Sequence, residues 1–89
     1  MKAIVTVVGK DRVGIIASVC TKLAQYNVNV MDISQTVMQG YFTMMMVTDA
    51  SKCNVSVGDL AKLMDAAGQE MGLSIRVQRE DIFQAMHRV

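Results

Sequence analysis

This 89-residue chain predicts an α+β fold. The expected architecture is a ferredoxin-like βαββαβ sandwich, with a four-stranded antiparallel sheet in the order 4-1-3-2 and two helices on one face. Three observations predict it. Two stretches carry apolar residues at helical spacing. Four shorter stretches carry strand patterns before, between and after them. The second and third strand patterns are joined directly by Gln39-Gly40, which leaves room only for a tight hairpin.

Taken in order, Ala3 to Val8 is apolar on both faces apart from Thr6, the pattern of a strand at the sheet centre. From Gly14 to Tyr26 the apolar residues Ile15, Ile16, Val19, Cys20, Leu23 and Ala24 recur three and four apart, which gives a helix with one core face. Asn27 is a left-handed stop for it. Val28 to Met38 alternates Met31, Ile33 and Val37 with Asp32, Ser34 and Thr36, so one face is expected buried and one wet, as on an edge strand. Tyr41 to Thr48 is apolar on both faces and predicts a second central strand. Ser56-Val57-Gly58-Asp59 has the form of a capping box and opens a helix running to about Met71, with Val57, Leu60, Ala61, Met64, Ala67 and Met71 as its stripe and Gly72 as its stop. Leu73, Ile75 and Val77 alternate with polar residues in a last one-sided strand. Glu80 to Val89 is expected as a short terminal helix joining Ile82, Phe83 and Met86. The whole chain, 1–89, reads as one domain with a core over 1–79 and a tail over 80–89.

Composition bounds the function. Hydrophobic residues make up 52% and charged residues 19%, which leaves little polar surface for a monomer and points to a second buried face. The net charge of +1 comes from interspersed acids and bases, so no basic face for nucleic acid is expected. Met1-Lys2-Ala3 leads into an apolar run too short to span a membrane and without a cleavage-site pattern. Cys20 and Cys53 lie far apart with no metal-ligand spacing and demand no oxidising compartment, so a cytoplasmic protein is expected. Met44, Met45 and Met46 are consecutive on a strand and point to alternate faces, which makes them core filling and not a metal cluster. The one histidine, His87, has no assigned partner, and Asp11 and Asp32 are not forced together. No catalytic set and no cofactor are expected.

The most informative segment is Gly9-Lys10-Asp11-Arg12-Val13-Gly14-Ile15, a turn from strand to helix with two glycines and three charges. Glycines at a helix start let backbone N–H groups approach a ligand, and the helix dipole favours an anion there. The plainer reading is a strand-to-helix connection with Asp11 as N-cap.

That segment resembles the first loop and helix start of ACT domains, small ligand-sensing modules of amino-acid metabolism. Leu23-Ala24 followed by Asn27-Val28-Asn29-Val30-Met31-Asp32-Ile33 resembles their lead-in to strand two. The resemblance covers roughly residues 1–79 and is nearest to free-standing bacterial and archaeal ACT proteins, more distantly to the glycine-cleavage repressor type. It implies allosteric regulation: an amino acid or similar metabolite bound between two ACT domains, with a regulated protein as a further partner. In serine-binding members the ligand is held by polar side chains of the first loop and an Asn at the start of strand two. Here those positions are Asp11 and Asn29, and Gly9 stands where such sites use a histidine.

Geometry adds an independent argument. Asp11 precedes the first helix and Asn29 follows it, so about thirteen residues at 1.5 Å each hold them about 20 Å apart. One small ligand can touch both only if two chains share it. An edge strand pairing with its symmetry mate gives a C2 dimer, or a larger homo-oligomer, with a continuous sheet. The ligand-binding set that the resemblance implies is then Gly9, Lys10, Asp11, Arg12, Val13, Gly14 and Ile15 of one chain with Asn29 and Val30 of the other. Backbone N–H groups from Arg12 to Ile15 would receive a carboxylate, Asp11 an ammonium, and Lys10 and Arg12 would steer anions. The alternatives are a ligand-free interaction module, a small phosphate-ester hydrolase built on Arg12 and Asn29, and an RNA-binding domain, for which Tyr41 and Phe42 are the available strand aromatics.

Overall fold

The computed structural model describes residues 1–10 and 13–81. Its elements are β1 (Lys2–Lys10), α1 (Ile15–Gln25), β2 (Asn29–Met38), β3 (Tyr41–Asp49), α2 (Val57–Met71) and β4 (Ser74–Arg79). The four strands form one sheet in the order β2-β3-β1-β4, every neighbour antiparallel. The expected element order and strand order both hold. Most of the expected terminal helix, Ile82 to Val89, lies outside the described residues.

Register decides which residues share a face. Val5 pairs with both Met46 and Val77, and Val7 with both Met44 and Ile75, so these six point to the same side. All are buried, together with Ile15, Val19 and Leu23 of α1 and Leu60 and Met64 of α2. Both helices therefore lie on this side and the core is the layer between. Thr48 is the buried polar side chain of that layer, and its hydroxyl donates to the Ala3 carbonyl at 2.9 Å.

The local stops follow from backbone chemistry. Asn27 (φ 62°) turns the chain out of α1, and Gln39 and Gly40 (φ 50° and 81°) make the β2–β3 hairpin. Ser56 caps α2 by accepting from the Asp59 N–H at 3.1 Å, and Gly72 ends it in the left-handed region.

Three expectations need correction. β1 continues two residues past Val8, because Gly9 and Lys10 pair with Phe42 and Tyr41. The two central strands are only partly buried on the face away from the helices: Ile4 is buried and Val47 half-buried there, while Val8 and Met45 stand 42% and 39% exposed. β2 does not bury one face. From Met31 to Met38 every residue is exposed, including Ile33 and Val37 on the helix side, where a cavity separates the start of α1 from Gln35 and Val37.

Candidate functional site

Gly9 and Gly14 do different jobs. Gly9 sits inside β1, and a Cβ there would run into the Leu73 side chain, so this glycine serves the packing of β1 against the end of α2. Gly14 has φ +90° with nothing near its Cα, so it serves backbone conformation. It is also the N-cap of α1, which corrects the expectation that Asp11 fills that role. No side chain among the described residues caps this end; the first helical bond runs from Ser18 N–H to Gly14 O at 2.9 Å. The N–H groups of Ile15, Ile16 and Ala17 thus have no intrahelical acceptor, and no side chain among the described residues faces the positive end of the helix dipole as a cap.

That end opens on a cavity of about 510 Å³ lined by Gly14, Ile15, Ile16, Ala17, Gln35, Val37 and Phe42. Gln35 and Val37 reach it because they pair with Met44 and Phe42 and so share the helix-side face of the sheet. Among the described residues no strand lies beyond the wall formed by β2.

Asn29 lies elsewhere. It lines a second cavity of about 350 Å³ with Ala24, Asn27, Val28, Asp49, Ser51 and Lys52, at the opposite end of α1. The two cavities share no residue. Of the expected site residues, Gly14 and Ile15 come together at one cavity and Asn29 borders the other. Val30 is half-buried against the core opposite Thr48, Val13 is fully exposed, Lys10 is the exposed end of β1, and Asp11 and Arg12 lie outside the described residues.

The second cavity has the stronger electrostatics. The Asp49 carboxylate accepts from the Ser51 N–H at 2.9 Å and stands 3.8 Å from the amino terminus. Hydrogen bonds from the Ser51 backbone and hydroxyl hold its pKa below the usual 3.8, helped by the positive charges of the amino terminus and Lys52.

Sequence reasoning missed Ile16, Ala17, Gln35, Val37 and Phe42 at the first cavity and, among others, Asp49, Ser51 and Lys52 at the second. Gln35 carried a signal, as the one polar residue in the row Ile33, Gln35, Val37. The second cavity had none in the sequence, since Asn29 and Lys52 meet only through folding. Of the two aromatics opening β3, Phe42 turns into the core and Tyr41 stands exposed on the other face, so they form no shared stacking surface. No helix among the described residues is long and apolar enough to cross a membrane. Among the described residues no three His, Cys, Asp or Glu side chains converge as metal ligands.

Comparison with known proteins agrees with the fold. The family model described as ACT domain matches residues 2–78. A UPF0237 protein of Bifidobacterium longum is 53% identical over 88 residues, covering 99% of this chain and 98% of that one. A UPF0237 protein of Methanosarcina acetivorans is 51% identical over 86 residues, covering 97% and 94%. The structure of an ACT domain protein from Streptococcus pneumoniae superposes with a TM-score of 0.83 at 44% identity, covering 94% of each chain. The βαββαβ topology, the strand order and these matches together show that the chain belongs to the ACT domain family.

Proposed function

We propose that this protein is a non-catalytic, cytoplasmic regulatory module that captures an amino acid at the seam of a homodimer and relays its presence to a protein partner. The observation that carries this reading is the amino end of α1, uncapped among the described residues, which opens on a cavity whose far wall is the edge strand of the described sheet. Three N–H donors and the helix dipole suit a carboxylate there, and Ile16, Val37 and Phe42 suit an apolar substituent.

The edge strand supplies the second chain. β2 is ten residues long, and two copies paired antiparallel set the start of one beside the end of the other. Asn29 and Val30 of the second copy then approach Val37 and Gly14 of the first, where the amide of Asn29 can donate and accept. In the sequence Lys10, Asp11, Arg12 and Val13 immediately precede Gly14. The pairing also removes an exposed sheet edge and covers apolar residues of β2. Dimerisation and small-ligand binding are common among ACT domains, which supports the same reading.

The test is thermal unfolding against the twenty standard amino acids. A ligand present at about a hundred times its dissociation constant adds about 2.7 kcal/mol to the folded state. At least one amino acid is expected to raise the melting temperature, and Asn29→Ala is expected to diminish that rise. A panel without any shift overturns the proposal in favour of a ligand-free interaction module.

A further inference from the structure

The cavity around Asp49 is built entirely within one chain, and its construction asks for an occupant. Its frame is held by three hydrogen bonds between segments distant in sequence. The Asn27 side-chain amide donates to the Lys52 carbonyl at 2.9 Å, the Asn54 amide to the Gln25 carbonyl at 3.2 Å, and the Asn54 N–H to the Tyr26 carbonyl at 3.0 Å. These bonds fasten the loop after β3 to the turn after α1, so the groups on the two walls keep a fixed spacing without help from a second subunit. The frame has further anchors: Asn27 holds a left-handed conformation and Cys53 packs against the core.

Opposite charges stand on that frame. Asp49 presents a carboxylate that stays ionised at all ordinary pH, because Ser51 stabilises the charged form. The carboxyl end of α1 faces the same space through Ala24 and Asn27, and its dipole favours a cation there. Lys52 lines the cavity three residues on, and no ion pair engages it among the described residues. Asn29 adds a neutral donor and acceptor. The amino terminus, 3.8 Å from Asp49, is a cation that a ligand ammonium would displace, and a lining with a fixed anion, a cation and an amide complements a small molecule that carries both charges.

We infer that this cavity binds a zwitterion of the α-amino acid class, with the ligand ammonium on Asp49, its carboxylate on Lys52 and Asn29 bridging the two. A volume of about 350 Å³ admits one such molecule. The site shares Asn29 with the proposed seam site but is complete in a single chain, so the two can fail separately.

Proton–nitrogen NMR of the whole protein, titrated with the twenty standard L-amino acids, separates them. The inference expects at least one amino acid to move the amide signals of Asn29, Ser51 and Lys52. It expects Asp49→Asn and Lys52→Met each to weaken that response about tenfold, the worth of one charge-assisted hydrogen bond. It also expects the response to survive Ser34→Lys, which sets like charges together on paired β2 strands and favours the single chain. Lys52 is exposed and its frame contact is made by its backbone, so Lys52→Met decides the matter even if Asp49→Asn alters the turn. Shifts confined to Gly14 through Ala17 would leave the seam reading standing and overturn this one. Shifts at the cavity that neither variant weakens would overturn it as well, returning Asp49 to its role in the turn at Ser51, as would no shift from any of the twenty.

Discussion

Gly68 and Leu73 meet backbone to backbone where α2 turns into β4. The Leu73 N–H donates to the Gly68 carbonyl at 2.7 Å, and a Cβ on Gly68 would lie 2.8 Å from the Leu73 carbonyl oxygen and 3.0 Å from Ile75. The closest atom belongs to the main chain and cannot rotate away. Gly68→Ala would gain about 1 kcal/mol of helix propensity and lose more to overpacking, which costs about 1–3 kcal/mol in a close-packed core. We expect a net loss of stability, read as a lower urea midpoint at unchanged slope. A variant as stable as the parent would show that α2 can slide on β4.

Thr48 offers a cleaner measurement. Its hydroxyl is buried and bonded to the Ala3 carbonyl, tying the inner faces of β1 and β3. Thr48→Val keeps the shape and removes the donor. The expected cost is about 1 kcal/mol, and equilibrium denaturation checks it.

Asp49 predicts a pH dependence with a definite sign. Its folded pKa lies below 3.8, so the unfolded chain takes up the proton first as pH falls. The contribution of its carboxylate to stability is complete above 3.8 and disappears as pH drops through the folded value. Comparing wild type with Asp49→Asn from about pH 5 down to about pH 2 should show the stability difference shrinking toward the acid end. A difference constant across that range would mean that Ser51 does not favour the ionised form.

β2 predicts self-association. Ile33 and Val37 are 39% and 53% exposed on the helix side, next to an edge that no strand among the described residues occupies. We expect sedimentation to find the wild-type protein as a dimer or larger, and Ser34→Lys to shift it toward monomer while leaving the circular dichroism spectrum unchanged. Wild-type protein that sediments as a monomer at every concentration would remove the basis for a shared seam.

Most of the fold was legible because its signals are local. Asn27, Gln39-Gly40, Ser56 and Gly72 act on their own backbone, and the structure has each where the sequence put it. The amino end of α1 was misread because an acid before a helix resembles a cap, while Gly14 fills that position by its own dihedral freedom. Gly9 looked like a ligand contact because its reason, Leu73, lies sixty-four positions later. β2 looked half-buried because alternation reports which side an apolar residue takes and not how closely the facing helix packs on it. The candidate site was legible in its Gly14 half for the same local reason. The Asp49–Lys52 half was hidden because three side-chain and backbone bonds between distant segments create it.

β2 is the outer strand of the sheet, paired to β3 along one side and exposed from Met31 to Met38, like a cantilever. Such a strand is the natural first piece to peel away, and its detachment would expose the flank of β3 and the wall of the groove beside Gly14 at once. A second copy clasping that overhang would slow the fraying. The lifetime of the groove would then be set by how many copies the cell makes.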